Sequence, residues 1–429
     1  MNLLLINCKT EAAAGAVDLL IANGKIQEIA ECGSIPRKGK KVVDAEGGIA
    51  LPAFVDIHTH LREPGYEGKE TIATGAAAAV RGGYAAICAM PNTNPVADNE
   101  YIVRYVKDRA KDAGLCRVYP IGAITKAQQG AELAEMLKMK HAGAVAVSDD
   151  GRPVLTGGLM RTALEYAAGA GIPVISHAED LSITSNGVMN EGAVSTKLGL
   201  NGINRAAEDA ATARDLAIAA ALGVPIHIAH VSTAGAARLI KEAKAAGVKV
   251  TAETCPHYIA ATEQLCDGYN ANAKVNPPLR TEADRIAIIK ALKDGTIDCI
   301  ATDHAPHSAS DKDLGFDHSA FGISGLETAF ALCYTYLVEP GHLTLNKLSR
   351  LMSANPASIL SLPCGEIKRG GVADITVVTT SKPYKINPEA FASKGKNTPF
   401  GGLSVKGEIL CTIVDGEVKY ARKKPSANT

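Results

Sequence analysis

The 429-residue sequence contains no tryptophan, has only 4% aromatic residues and carries no net charge. Its 45 lysines and arginines balance 45 aspartates and glutamates, so no overall electric field favours nucleic acid or a membrane surface. No apolar run approaches the roughly 18 residues that a membrane-spanning helix needs. The first residues lack a basic region, and Asn7 and Lys9 soon interrupt the leucines. We therefore expect no signal peptide and a cytoplasmic protein.

The cysteines form no CxxC pair. There are ten of them, scattered through apolar segments such as those around Cys88, Cys299, Cys333 and Cys411. This distribution is typical of buried free thiols in a reducing compartment and argues against a disulfide framework.

The middle of the chain alternates apolar strand candidates with alanine-rich helical segments about every 30 residues. Eight such units predict a (β/α)8 TIM barrel over residues 50–364. An open doubly wound sheet has the same rhythm, but polar residues gather after the strands, where barrel active sites lie. The strand candidates are Ile49–His58, Ala85–Met90, Val118–Ala123, Ala144–Ser148, Pro173–His177, Pro225–His230, Lys249–Thr254 and Asp298–Thr302.

Both ends of the chain are rich in short strand patterns. Asn23-Gly24 and Asp415-Gly416 are two-residue hairpin signals between β-branched and apolar runs. Residues 1–49 and 365–429 are therefore predicted to meet in one small β-sandwich domain.

The segment DIHTHLREPG, which begins at Asp56, follows an apolar strand. Side chains two residues apart in a strand point the same way, so His58 and His60 can reach one metal ion. Arg62 places a positive charge suited to a carboxylate beside that metal. The pattern predicts metal-dependent hydrolysis of an acidic substrate.

Further histidines and aspartates stand at the carboxyl ends of other predicted strands. Together they match the nitrogen and oxygen ligands of zinc or a similar divalent ion. A single histidine or an Asp-Asp-Gly turn at such a place usually has a structural role. Several such residues at matching strand ends together indicate one common site. Strand alternation does not choose between Asp149 and Asp150. His227 lies three residues before His230 and is predicted to face away. The candidates are His58, His60, Asp149 or Asp150, His177, His230 and Asp303, whereas His141, His318 and His342 are interpreted as non-ligands.

Several longer motifs carry a family resemblance: DIHTHLREPG, MPNTNP, SDDG, SHAED, IAHVST, NANAKVNPPLR, ATDHAPH and GLET. Together they resemble a dihydroorotase of the amidohydrolase superfamily, of the longer-chain type I, over nearly the whole chain. The HxH element alone would indicate only the superfamily, and HLREPG with MPNTNP is far more specific.

The resemblance implies one or two zinc ions. It assigns His58 and His60 to one metal, His177 and His230 to the second, and Asp150 to the bridge. Asp303 becomes a further ligand and the general acid/base. Many relatives carry a carboxylated lysine at the bridging position, which this sequence lacks.

The resemblance also implies a reaction, the reversible cyclisation of N-carbamoyl-L-aspartate to L-dihydroorotate plus water in pyrimidine biosynthesis. In the ring-opening direction, a metal-activated hydroxide attacks an amide carbonyl and Asp303 carries the proton to the leaving nitrogen. The expected substrate-binding residues are His60, Arg62, Asn92, Asn276, His307 and the backbone at Phe321 and Gly322. Relatives often have Ala-Pro before that glycine, where this chain has Ala320-Phe321. The polar stretch from Ser308 to Asp317 is interpreted as a lid.

Two alternatives remain. Hydantoinases, dihydropyrimidinases and allantoinases have a similar metal arrangement, but their substrates lack the carboxylate and most use a lysine bridge. A non-catalytic partner of aspartate transcarbamoylase would have lost metal ligands, and all are present here. The sequence does not determine oligomer size. We expect a homodimer and leave association with aspartate transcarbamoylase open.

Overall fold

A barrel of eight parallel strands forms the centre of the protein. The structure is a computed structural model that describes residues 2–11, 13 and 15–422. The strands neighbour one another in chain order, and a parallel bridge between Thr59 and His304 closes the barrel. The predicted (β/α)8 TIM barrel is confirmed. The barrel strands are Phe54–Thr59, Tyr84–Ala89, Arg117–Gly122, Ala146–Ser148, Val174–Ser176, Ile226–Ile228, Val250–Thr254 and Cys299–Ile300.

The barrel interior is filled by side chains and is not a pore. Val55, Ile57, Ile121 and Ile175 are buried there in one apolar cluster, which Ala357 of a late helix joins. Branched apolar residues of this kind form the packed layers of such barrels. The packing leaves the polar residues at the carboxyl ends of the strands to form a site.

Helices cover the outside of the barrel. The helix Glu100–Ala113 shows the local signals: the Asn99 side chain accepts the first free backbone N–H groups, and Gly114 ends the helix at φ 60°. None of the helices among the described residues is long and apolar enough to cross a membrane. The helices are Ile72–Arg81, Glu100–Ala113, Met136–Ala142, Gly157–Ala170, Leu181–Thr184, Ala193–Leu198, Ala206–Leu222, Ala234–Ala245, Pro256–Ala260, Glu282–Asp294, Ala309–Lys312, Ala329–Cys333, Leu345–Met352 and Ala354–Ile359, with a π-helical turn over Tyr334–Val338 and 3₁₀ turns over Lys126–Gln128, Glu263–Cys266, Ala271–Ala273 and Pro388–Ala390.

The two ends of the chain form two four-stranded sheets. Apolar side chains from both, including Leu5, Leu19, Ile375 and Ile413, are buried in a shared core. The predicted β-sandwich built from both termini is confirmed. In spatial order the first sheet contains Lys25–Glu31, Val17–Ala22, Leu3–Cys8 and Lys41–Asp44, and the second contains Glu417–Ala421, Glu408–Val414, Ile375–Thr379 and Ile49–Pro52.

One segment near the C-terminus, residues 382–406, packs on the barrel. It contains the short pair Tyr384–Lys385 and Ser404–Val405, and its Phe400 joins an apolar cluster with Tyr258 and Phe316 of the barrel loops. A second short pair, Met189–Asn190 with Gly202–Ile203, also lies among these loops. The domain division at residues 364 and 365 stays a prediction. Part of the C-terminal stretch nevertheless belongs spatially to the barrel rim.

Candidate active site

The first barrel strand delivers two histidines to one centre. His58 is fully buried, and its Nε2 lies 3.4 Å from Asp150 Oδ1 and 3.6 Å from Asp303 Oδ1. His60 Nε2 lies 3.0 Å from the same Asp303 oxygen and 3.4 Å from Asp150 Oδ2. The two imidazoles thus converge on one pair of carboxylates, as the strand spacing requires.

Two later strands contribute the other histidines. His177 Nδ1 lies 3.2 Å from Asp150 Oδ1, and His230 Nε2 lies 3.3 Å from that oxygen. The two ring nitrogens are 2.8 Å apart. Asp150 therefore lies between the His58–His60 pair and the His177–His230 pair.

The two neighbouring aspartates have different surroundings. Asp149 turns away from the histidines and accepts the backbone N–H groups of Ile124 and Thr125 at 2.8 and 3.1 Å. The Thr125 hydroxyl donates to it as well. Burial raises the pKa of Asp149 to about 6. Only Asp150 faces the imidazoles.

Outer hydrogen bonds orient three of the rings. His58 Nδ1 donates to Glu253 Oε1 at 2.6 Å, and His60 Nδ1 donates to Asn92 Oδ1 at 2.9 Å. His177 Nε2 donates to Glu179 Oε2 at 2.9 Å. In each case the outer nitrogen is fixed as a donor, so the inner nitrogen can present its lone pair to a metal ion once it has lost its own proton.

The electrostatics are those of a buried charge cluster. Burial opposes ionisation of Asp150, but His58, His177 and His230 outweigh it and hold the pKa of Asp150 well below its usual range. Burial lowers the pKa of His177, yet Asp150 and Glu179 outweigh this and raise it to about 10.

The donors fit a divalent metal ion. His58, His60 and Asp303 each place one ligand atom within 4.8 Å of the others, and so do His58, Asp150 and His230. His58 Nε2 is a buried nitrogen without a hydrogen-bond partner. A buried polar atom of this kind is costly unless something binds it. Imidazole nitrogens and carboxylate oxygens are ligands that zinc and similar ions accept.

Backbone strain accompanies the site. His230 has φ 34° and Asp303 has φ 46°, both in the left-handed region that side chains other than glycine rarely adopt. Each costs on the order of 1–3 kcal/mol and persists only where surrounding contacts hold it. These two residues therefore take their positions from the fold and not from local preference.

A second polar group lies beside this centre and includes Arg62. Its guanidinium Nη2 is 3.2 Å from His307 Nε2, and its Nε donates to Pro306 O at 3.2 Å. His307 Nε2 donates to Phe321 O at 2.9 Å. Burial, together with Arg62 and nearby lysines, lowers the pKa of His307 to about 2, so this ring is neutral.

The two asparagines among the predicted substrate residues each contact a histidine or its partner. Asn92 accepts from His60, as described above. Asn276 Nδ2 donates to both oxygens of Glu179 at 3.1 Å, and Glu179 orients His177. Gly322 has φ 145°, and a Cβ there would lie 2.6 Å from Ala305 O, so the close approach requires glycine.

Sequence reasoning missed three residues of this region. Glu253 and Glu179 orient His58 and His177 of the cluster, and both stand at strand ends, which is the signal that could have revealed them. Asn397 accepts from His307 N at 2.8 Å and donates to Gly322 O at 2.9 Å. Its stretch, KNTPFGG, follows no strand or helix pattern, so no comparable signal exists.

Solved structures share the fold. An L-hydantoinase (dihydropyrimidinase) from Arthrobacter aurescens superimposes with a TM-score of 0.86 at 24% identity, covering 98% of this chain and 96% of that one. A dihydropyrimidinase from Brevibacillus agri NCHU1002 gives 0.84 at 23% identity, covering 97% and 95%. These likenesses show that this chain shares their fold, and the histidine and carboxylate cluster at the ends of its barrel strands could hold a divalent metal ion.

Sequence relatives narrow the class. Residues 47–236 match a family described as dihydro-orotase-like. A protein named dihydroorotase from Trichlorobacter lovleyi is 52% identical over 406 residues, 94% of this chain and 95% of the relative. Another of that name, from Pelobacter propionicus, is 52% identical over 427 residues, 98% and 100% of the two chains. The chain belongs to the dihydroorotase family, and the resemblance drawn from its motifs is confirmed.

Proposed function

We propose that this chain is a dihydroorotase, which converts N-carbamoyl-L-aspartate and L-dihydroorotate into one another in pyrimidine biosynthesis. The observation that carries the proposal is the position of Arg62, whose guanidinium lies 3.2 Å from His307 beside the histidine cluster, in a chain about half identical to dihydroorotases. Arginine binds carboxylates through two parallel hydrogen bonds, and the substrate has a carboxylate outside the reacting bond.

We propose zinc as the metal, with one or two ions per subunit. His58, His60, His177, His230, Asp150 and Asp303 would hold it. When bound, such an ion polarises a carbonyl group and lowers the pKa of a coordinated water from about 15.7 towards about 7.

The chain's own residues would then orient the substrate and move a proton. Arg62 and Asn92 hold the substrate carboxylate, and His307 becomes a third donor when its Nε2–H turns from Phe321 O to that carboxylate. Asn276 with the backbone at Phe321 and Gly322 contacts the ring. In ring opening, Asp303 accepts the proton of the attacking water at its carboxylate and delivers it to the departing amide nitrogen. In cyclisation the same carboxylate moves the proton in the opposite direction, since both directions share one transition state.

One assay tests the proposal: hydrolysis of L-dihydroorotate by the purified protein, before and after chelation, with restoration by zinc. Dihydrouracil and hydantoin, which lack the carboxylate, serve as comparison substrates. We expect turnover of dihydroorotate alone, lost on chelation and regained with zinc. Turnover of the comparison substrates without dihydroorotate would contradict the proposal. Metal analysis of the untreated protein measures zinc per subunit.

The proposed cellular location and partners depend on fewer observations than the activity does. All ten cysteines lie among the described residues and none is in a disulfide, which supports a reducing, cytoplasmic location. A homodimer and an association with aspartate transcarbamoylase stay predictions. Light scattering on the protein alone, and after mixing with purified aspartate transcarbamoylase, tests both.

A further inference from the structure

We propose that two buried lysines, Lys274 and Lys312, are positioning residues that hold the substrate loop, residues 313–322, in place beside the active site. The proposal rests on the proposed function for its kinetic test. Its structural test does not depend on that function.

Lys312 connects three segments through its ammonium group. It ends the helix Ala309–Lys312 and is only 8% exposed. Its Nζ donates to Ala271 O at 3.0 Å, Lys274 O at 3.2 Å and Ala320 O at 2.7 Å. Three carbonyl acceptors match the three N–H groups of a protonated lysine.

Lys274 contacts the other half of the loop. It is 2% exposed, and its Nζ donates to Phe316 O at 2.7 Å and to Asp317 O at 2.9 Å. The same nitrogen lies 4.5 Å from the centre of the Phe321 ring, within range of a cation–π contact. The Gly322 backbone N–H donates to Lys274 O at 2.9 Å. Lys274 therefore binds the loop through both its side chain and its backbone carbonyl.

Backbone carbonyls are the main partners of both ammonium groups. Among the described residues, no carboxylate lies within 4.0 Å of either nitrogen. A buried charge without a counterion is costly unless hydrogen bonds replace its water. Burial lowers the pKa of Lys274 to about 8 and that of Lys312 to about 7. Burial of the two ammonium groups is therefore unfavourable by itself. The two groups supply hydrogen-bond donors to five backbone carbonyls of the loop and its neighbours, those of Ala271, Lys274, Phe316, Asp317 and Ala320.

The loop so held reaches the substrate-binding residues. Phe321 O accepts from His307, and Gly322 packs against Ala305 beside that ring. Displacement of residues 316–321 would therefore shift the acceptor that orients His307. In active sites a misplacement of about 1 Å can cost on the order of 100-fold in rate.

The test compares Lys274→Ala and Lys312→Ala with a control, Lys140→Ala. Lys140 also donates to a backbone carbonyl, Ala170 O at 2.7 Å, but on an exposed outer helix. We expect both loop variants to keep their metal and to lose about 10–100-fold in kcat/KM for L-dihydroorotate, mainly through KM. We expect the control to match wild type.

Hydrogen exchange supplies the structural readout. The Gly322 amide donates to Lys274 O, and the Ala320 amide donates to Asp311 O. Both amides should exchange faster in the loop variants, while the barrel strands keep wild-type rates. Added propylammonium, which replaces the missing ammonium, should restore slow exchange and activity, whereas propanol at equal concentration should not.

Unchanged loop exchange in both folded variants would overturn the proposal. So would equal rescue by propanol, since it would mean that the lysines only fill space. If an alanine variant does not fold, Lys312→Met and Lys274→Met keep the length of the side chain without any donor. Those variants should show faster loop exchange and a higher KM, and wild-type loop exchange and KM in them would equally overturn the proposal. Absence of dihydroorotate turnover in wild type would refute the proposed function and leave the exchange test intact.

Discussion

Asp303 contacts both histidines of the first barrel strand, with its Oδ1 3.0 Å from His60 Nε2 and 3.6 Å from His58 Nε2. We expect Asp303→Asn to retain metal, because four histidines and Asp150 remain. The asparagine amide cannot accept and return a proton at neutral pH, so turnover should fall by about 10²–10⁴-fold in both directions. Metal content and kcat in each direction measure the effect. Near-normal turnover with metal present would contradict the acid/base role.

Arg62 is expected to bind the substrate carboxylate. Hydrogen bonds to charged groups contribute about 1.5–3 kcal/mol, so Arg62→Met should reduce kcat/KM for dihydroorotate by about 10–100-fold, chiefly through KM. Arg104→Met removes an exposed arginine that pairs with Glu100 on an outer helix and should have no effect. Unchanged kinetic constants in the Arg62 variant would show that the carboxylate is held elsewhere.

For single residues, the choice between Asp149 and Asp150 could not be predicted from the sequence. Residue type and spacing predict a carboxylate after the fourth strand, and both Asp149 and Asp150 satisfy that pattern. The distinction depends on the backbone amides of Ile124 and Thr125, which belong to the preceding βα unit and capture Asp149. A contact between separate segments of the chain therefore determines which aspartate faces the histidines, and no local sequence pattern reveals such a contact.

Among the structural elements, the segment of residues 382–406 links the C-terminal stretch to the active site through Asn397. This side chain is buried, accepts from His307 N, and donates to Ala305 O and Gly322 O at 3.1 and 2.9 Å. Asn397→Asp keeps the acceptor but removes both donations and adds a negative charge. Two buried carbonyls then lose their partner, at about 1–3 kcal/mol each.

We therefore expect Asn397→Asp to raise KM for dihydroorotate by about tenfold or more and to lower the melting temperature. Asn387→Asp is the matched control, because it makes the same change at an exposed cap of the same segment, where an aspartate can also accept the Glu389 N–H. Steady-state kinetics and thermal melting measure both variants. Equal effects in the two would mean that added charge, and not the lost donors, is responsible.

The barrel strands and the helices between them were predictable because their own sequences carry the signal. Alternating strand and helix periodicity predicts eight units, and capping residues such as Thr71 and Asn99 mark helix starts. The placement of residues 382–406 was not predictable. This segment has neither periodicity, and its position comes from apolar contacts with loops more than 60 residues away along the chain.

For the whole molecule, the balanced net charge conceals a concentration of ionisable groups at one end of the barrel. Burial lowers the pKa of His58, but Asp150 and Glu253 outweigh it, so the pKa stays well above its usual value. His177 behaves alike, with a pKa raised to about 10. In the carboxylates Asp150 and Glu253, the histidines overcome burial and lower the pKa. The same groups that fit a metal can therefore also bind protons.

The sign of the resulting pH dependence differs between chelated and metal-loaded protein. A histidine whose pKa is raised by folding stabilises the chain fully below about pH 6.5 and loses that contribution as the pH rises through its folded pKa. A carboxylate whose pKa is lowered contributes above about pH 4 and loses this on acidification. In the chelated protein this cluster therefore stabilises most between about pH 4.5 and 6.5.

Metal competes with protons for the histidine nitrogens, so its stabilisation increases as the pH rises. We expect the melting temperature of the chelated protein to fall from about pH 6.5 to pH 9, and the difference between zinc-loaded and chelated protein to widen over that range. Thermal melting in matched buffers measures both. His177→Gln should flatten the trend in the chelated protein, whereas His342→Gln, outside the cluster, should leave it unchanged. A difference that narrows with rising pH would mean that the histidines are not the groups at which zinc and protons compete.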